Sequence, residues 1–220
     1  MTLPSVKRPK AIIFDWDNTL IDSWQVINEA FNATFDDYGM PSWTVEETEQ
    51  RVAKSMRDSF PKMFGDDWER AGEIFHGHFK KIHLDRLTPL PDAGDALAEL
   101  VAMGIYLGVV SNKTGAFLRA EAEKLGWDQH FGQIIGAGDA ENDKPATDPV
   151  TLALKDSGID MGSDVWFAGD AVIDLECATN AGCVPVLVRE LAPVKGEFSK
   201  FEPAIYFQTV QKLSIHAKNL

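Results

Sequence analysis

Short apolar runs rich in β-branched residues recur along the chain: Ala11–Phe14, Ile105–Val110, Gln133–Ile135, Val165–Ala168, Val184–Val188 and Ala204–Phe207. Between the later runs, Ala93–Met103, Ala116–Leu125, Pro149–Ser157 and Asp174–Ala181 repeat their apolar residues at helical spacing. Strand-length runs alternating with helical segments predict an α/β protein with a mainly parallel sheet and helices on both faces. No internal repeat or low-complexity tract interrupts this order.

One stretch departs from it. From Ile21 to about Thr88 no strand stands out, and helical patterns run through Val26–Phe35, Val45–Met56 and Trp68–Ile82. Helix stops punctuate the stretch at Gly39-Met40-Pro41 and Phe64-Gly65-Asp66. A structureless loop of that length is improbable in a compact domain. The expectation is an inserted α-helical cap domain over residues 22–88. Residues 1–21 and 89–220 then form a discontinuous, Rossmann-like catalytic core, re-entered through the Pro-rich Leu87–Pro91.

Composition narrows the partners. The 220 residues are 45% hydrophobic and 25% charged, as in ordinary globular proteins, and the net charge is −13. Such a charge disfavours nucleic acid and anionic membranes, and it repels a phosphorylated metabolite unless local cations receive it. The opening Met1–Lys10 is basic but lacks the apolar core of a signal peptide. The longest apolar runs are too short to span a bilayer. A cytoplasmic protein, monomer or homodimer, is the expectation. Five residues separate Cys177 from Cys183, the spacing of neither a redox pair nor a zinc knuckle, and both read as small core residues.

Candidate chemistry gathers where strands end, the edge at which open α/β sheets bind ligands. The first strand runs into Asp15-Trp16-Asp17-Asn18-Thr19-Leu20. Two carboxylates leaving one strand end can divide nucleophilic and proton-transfer work, and they offer hard oxygen ligands suited to Mg²⁺. The second strand ends in Ser111-Asn112-Lys113, whose hydroxyl and amide can donate to an anionic oxygen. Lys144 sits among Asp139, Glu141, Asp143 and Asp148 between a strand end and a helix start. The fourth strand ends in Gly169-Asp170, with Asp174 four residues further on. Gly169 permits close backbone approach, and Asp174 also suits a helix cap. Clustered carboxylates repel one another unless a cation neutralises them, so a divalent metal is implied.

Asp15/Asp17, Ser111, Lys144 and Asp170/Asp174, in that order, resemble the four motifs of the haloacid dehalogenase-like superfamily of phosphohydrolases. The helical insertion after the first motif resembles the cap of its phosphoglycolate phosphatase-like branch. The resemblance implies that Asp15 takes the phosphoryl group, while Asp17 serves as acid and then as base for water. It implies that Ser111 holds a phosphoryl oxygen and that Lys144 steadies the charge on nucleophile and phosphoryl group. Mg²⁺ would lie between Asp15, Asp170 and the backbone carbonyl of Asp17, supported by Asp174. The implied activity is a Mg²⁺-dependent phosphatase of a small phosphorylated metabolite, with phosphoglycolate the family-level substrate. A phosphosugar mutase shares the residues and is distinguished by its product. A phospho-receiver module shares the core, but it is shorter and lacks a large cap.

Two positions depart from the family's pattern. Asn18 replaces a glycine, yet asparagine tolerates the left-handed turn. Trp16 replaces a commoner aliphatic residue and reads as packing. The presence of Asp17 argues against the dehalogenase branch. In Lys54–Phe60, Arg57 reads first as an exposed helix arginine; it also matches an arginine frequent in related caps, and the resemblance makes it, with Asn112, a candidate contact for an anionic substrate. His76 and His78 are two apart and point different ways on a helix, so they form no metal pair. Gly136-Ala137-Gly138 lacks the third glycine of a dinucleotide fingerprint. Trp24, Phe31, Phe35, Trp43 and Trp68 are expected in the cap core, with one of them free to face the cleft.

Overall fold

The computed structural model describes residues 7–52 and 55–220. Among the described residues, eight strands and nine α-helices follow in the order β1 (Ala11–Phe14), β2 (Ile21–Asp22), α1 (Trp24–Asp37), α2 (Val45–Arg51), α3 (Met56–Phe64), α4 (Trp68–Ile82), β3 (Thr88–Pro89), α5 (Ala93–Ala102), β4 (Tyr106–Thr114), α6 (Gly115–Leu125), β5 (Gln133–Ala137), α7 (Asp148–Ala153), β6 (Val165–Gly169), α8 (Val172–Asn180), β7 (Val184–Val188), β8 (Ile205–Phe207) and α9 (Val210–Lys218). Six strands form one parallel sheet in the order β5-β4-β1-β6-β7-β8.

β1 is fully buried and pairs on both sides, Ile12 opposite Leu107 of β4 and opposite Trp166 of β6. Its side chains alternate between two cores, as a strand period of two requires. Ile12 and Phe14 enter a core closed by α5, α6 and α9, through residues such as Leu97, Leu118 and Leu213. Ala11 and Ile13 enter the opposite core with Val150 of α7 and Cys177 of α8. Helices therefore cover both faces, as the alternation of apolar runs predicts. The strand order runs one way through β4 and β5 and the other way through β6, β7 and β8. The carboxyl end of β1 is thus the switch point where such sheets open a ligand crevice.

Helices α1 to α4 occupy the stretch predicted to be helical. They pack around their own aromatic cluster of Phe31, Phe35 and Phe60, with Trp43, Trp68 and Phe75 against it. Of the helical pattern Val45–Met56, α2 covers Val45–Arg51, and Met56 is the first residue of α3. α2 starts with a capping box, Thr44 with Glu47. Lys54, part of the segment flagged in the sequence, lies outside the described residues, as does the opening Met1–Val6. The sequence also hides β2 and β3, an antiparallel pair of two residues each. They are too short for a periodic signal, and they bring together the two chain crossings at Ile21 and Pro89. We propose that residues 22–88 form a cap unit and that the sheet with its flanking helices forms the core, joined at this pair.

Cys177 and Cys183 are both free and buried among apolar side chains. Among the described residues no helix is long and apolar enough to cross a membrane.

Candidate active site

The backbone amide of Asp15 donates to the carbonyl of Ala168 at 2.8 Å, extending the β1–β6 pairing by one residue. Beyond it the chain turns sharply. Asn18 adopts a left-handed φ of 60°. Its amide donates to the Ile21 carbonyl at 2.6 Å, and its side-chain Oδ1 accepts from the Ser23 amide at 3.1 Å. Asparagine thus supplies the turn geometry that the departure from glycine put in question.

Lys144 is the centre of the site. Only 2% exposed, its Nζ donates to Asp15 Oδ1 and to Asp174 Oδ1, each at 2.7 Å. Burial opposes its charge, but the two carboxylates outweigh that penalty and hold it protonated well above an ordinary lysine. α8 begins at Val172, so Asp174 lies in its first turn, where its Oδ2 accepts from the Ala171 amide at 3.0 Å. Capping and ion pairing are both real, one to each oxygen. The approach is close: a Cβ on Gly169 would stand 2.3 Å from Asp174 Cγ, which is why only glycine fits there.

Asp170 completes the cluster. One oxygen each from Asp15, Asp170 and Asp174 lie within 4.8 Å of one another. Three carboxylates thus cluster where one ammonium, paired with Asp15 and Asp174, is at hand. Burial, then the neighbouring Asp174 and Asp17, push the Asp15 carboxyl up to about 7, with Lys144 opposing. Burial with Asp174 and Asp15 drives Asp170 upward too. Among the described residues, Asp15 accepts protein hydrogen bonds only at Oδ1, and Asp170 only at Oδ1, from Thr19 at 3.3 Å. One oxygen on each remains for a hard cation, whereas both oxygens of Asp174 are taken. The donor set fits a divalent metal held by Asp15 and Asp170, with Asp174 fixing Lys144 beside it.

Asp17 stands apart from that group. Its Oδ1 lies 2.7 Å from Lys113 Nζ and accepts a hydrogen bond from the Ser23 hydroxyl. Lys113 is the site residue that the sequence reading missed. β4 continues to Thr114, so Ser111, Asn112 and Lys113 all belong to the strand. Strand alternation explains why Lys113 turns inward with Ser111. Lys113 Nζ also donates to Glu121 at 2.6 Å. Buried Glu121 further takes the Trp16 indole N–H at 2.7 Å and pairs with His83 Nδ1 at 2.8 Å. Burial works against the Glu121 charge, but Lys113, His83 and Trp16 together hold its carboxyl below the ordinary range. Trp16 is therefore packing and anchor at once, set edge-on to Trp127.

Ser111, Asn112, Lys113, Lys144, Asp15, Asp17, Asp170 and Asp174 all line one cavity of about 160 Å³ between the sheet edge and α1, α3 and α4. Ser111 Oγ accepts from the Lys113 amide at 3.2 Å. The Asn112 amide donates to the Lys144 carbonyl at 3.3 Å, and its Oδ1 is buried without a protein partner among the described residues. Arg57 is not in this cavity. It forms a two-pronged ion pair with Asp143 and donates to the Glu141 carbonyl at 3.2 Å, on a separate surface depression with Asn142 and Pro145. Trp24 and Phe31 face the cavity, while Phe35, Trp43 and Trp68 stay in the helical cluster.

An α/β enzyme with a carboxylate–lysine centre at the sheet's switch point is the class that fold and site define. The sequence profile described as haloacid dehalogenase-like hydrolase matches residues 12–188, and the chain belongs to that family, as one of its phosphatases. It is 28% identical over 193 residues to a phosphoglycolate phosphatase of Chromobacterium violaceum, covering 84% of this chain and 86% of the relative. It is 31% identical over 149 residues to the pyrophosphatase PpaX of Oceanobacillus iheyensis, covering 68% and 69%. The fold is also that of CbbY from Rhodobacter sphaeroides, solved in complex with phosphate, with a TM-score of 0.81 at 19% identity over 96% of this chain and all of that one.

Proposed function

We propose that this chain is a Mg²⁺-dependent phosphatase that hydrolyses a small phosphorylated metabolite through an aspartyl-phosphate on Asp15. The observation that carries the reading is Lys144, whose ammonium bridges Asp15 and Asp174 beside Asp170 at the end of the central strand. A metal held by Asp15, Asp170 and the backbone carbonyl of Asp17 supplies, when bound, the positive charge that an anionic phosphoryl group needs in this acidic protein.

The residues then divide the work. Asp15 presents a carboxylate oxygen to phosphorus, and as that bond forms the ester P–O bond breaks. Asp17, on the same turn, gives its proton to the departing oxygen and later takes one from the water that attacks the aspartyl-phosphate. Lys113 and Ser23 hold the Asp17 carboxylate at the cavity wall. Lys144 keeps Asp15 oriented and offsets charge gathering on the phosphoryl oxygens, and Ser111 and Asn112 donate to those oxygens. Phosphoryl transfer asks chiefly for such positioning and charge neutralisation.

A screen of phosphorylated metabolites with Mg²⁺ tests the reading, with Asp15→Asn as the blank. Phosphate release by the wild type alone is expected. Equal release by Asp15→Asn overturns the mechanism. The names of the relatives point to two different leaving groups, glycolate and phosphate.

A further inference from the structure

The cavity has two unlike halves. Around Asp15 it is charged and polar. Across from it, the wall is built from Trp24, Ile27, Met56, Phe75, Phe79 and Phe117. Five of these come from the helices between β2 and β3. The sixth, Phe117 of α6, reaches up from the sheet to pack against Val26 and Phe79.

The charges near that wall are already committed. Among the described residues, the cavity's cations are Lys113 and Lys144, and each lies between two carboxylates. Arg57, which the sequence suggested for an anionic substrate tail, is bound to Asp143 outside the cavity. His76 faces the cavity and shares a 3.1 Å hydrogen bond with the Thr114 hydroxyl. Burial lowers its basicity, so it offers a neutral polar atom and no counter-charge. A second carboxylate or phosphate on the substrate would lose water and meet aromatic rings, with four cavity aspartates nearby. An uncharged ring or alkyl group would instead leave water for matching apolar surface.

We propose that the substrate is a phosphate monoester of an uncharged, predominantly apolar or aromatic alcohol, with His76 the polar contact on the leaving-group side. The proposal rests on the phosphatase reading and narrows it, away from glycolate and pyrophosphate.

The test compares kcat/KM for benzyl phosphate, ethyl phosphate, phosphoglycolate and pyrophosphate, with Mg²⁺ present. The first three release alcohols without an activated leaving group, so the apolar wall and the second charge are what differ. Benzyl phosphate is expected to exceed ethyl phosphate and phosphoglycolate by about tenfold or more, the discrimination that an apolar pocket supplies. Phosphoglycolate or pyrophosphate matching or exceeding benzyl phosphate overturns the proposal, as does equality of benzyl and ethyl phosphate. In Trp24→Ala the benzyl-to-ethyl ratio is expected to fall, and an unchanged ratio counts against the assigned wall.

Absence of phosphate release from all four compounds strikes at the phosphatase reading itself. Calorimetry then still decides the leaving-group class, using the non-hydrolysable benzylphosphonate and phosphonoacetate. Tighter binding of benzylphosphonate supports the apolar wall as a ligand site, and tighter or equal binding of phosphonoacetate overturns it.

Discussion

Arg57 of α3 and Asp143, the residue before Lys144, form a bidentate ion pair that ties the helical segment to the loop carrying the central lysine. The Asp143 side chain is buried and also accepts from the Gly138 amide at 3.1 Å, so it is fixed at both ends. The pair anchors the residue next to Lys144 from outside the cavity.

Arg57→Ala is therefore expected to reduce kcat by the same fraction on charged and uncharged esters, with a stability loss of about 1 kcal/mol, since the guanidinium is partly exposed. Parallel kinetics on phosphoglycolate and ethyl phosphate, with a thermal melt, check this. A KM increase confined to the charged ester would return Arg57 to the substrate site.

Glu121→Gln replaces the carboxylate that receives Trp16, Lys113 and His83 in the core. The change leaves Lys113 with Asp17 as its remaining carboxylate and costs on the order of 3 kcal/mol, as removing one partner of a buried pair does. Urea unfolding measures it. A midpoint unchanged from wild type would mean that the network contributes nothing to the fold.

Metal and pH are linked through the cluster. The Asp15 carboxyl is raised to about 7 in the fold, above its ordinary value near 3.8. Between those values the folded protein binds more protons than the unfolded chain. This contribution to stability is therefore lost as pH rises toward 7 and beyond. In chelator, the wild type is expected to melt lower at pH 8 than at pH 5.5 relative to Asp15→Asn, which lacks the titrating group. Added Mg²⁺ is expected to raise the wild-type melting temperature more at pH 8 than at pH 5.5, because the ionised cluster binds it. Differential scanning calorimetry of both proteins at both pH values checks the sign, and an opposite order of the Mg²⁺ effect contradicts it.

Much of this was legible in the chain. Ala11–Phe14 and Val165–Ala168 read as buried strands because they are continuous apolar runs, and the carboxylates at their ends follow from that placement. The contacts of Arg57 were not legible, since an exposed helix arginine gives no sign of a partner 86 residues away. The inward contacts of Lys113 leave no trace in the sequence, because β4 continues through polar positions where periodicity carries no signal. The role of Trp16 needed Glu121, on a helix 105 positions later, to be seen beside it. β2 and β3 are too short to leave any pattern.

Asp17→Asn separates the two carboxylates on the first turn. An alkyl ester needs a proton on its leaving oxygen, while an activated aryl ester departs largely unaided. The variant is expected to lose more of its phosphorylation rate on benzyl phosphate than on 4-nitrophenyl phosphate. The aryl ester is expected to give a burst followed by slow turnover, because the same residue later serves water. Rapid-quench kinetics check this, and equal fractional losses on both esters would assign Asp17 a structural role.

The most direct measurement looks for the phosphoryl group itself. Enzyme turning over its best ester with Mg²⁺ is quenched in acid, digested and analysed by mass spectrometry. The account predicts one phosphoryl group on the peptide that contains Asp15, absent from Asp15→Asn. Full phosphate release in wild type with no phosphoryl group on Asp15 at any time during turnover would contradict it.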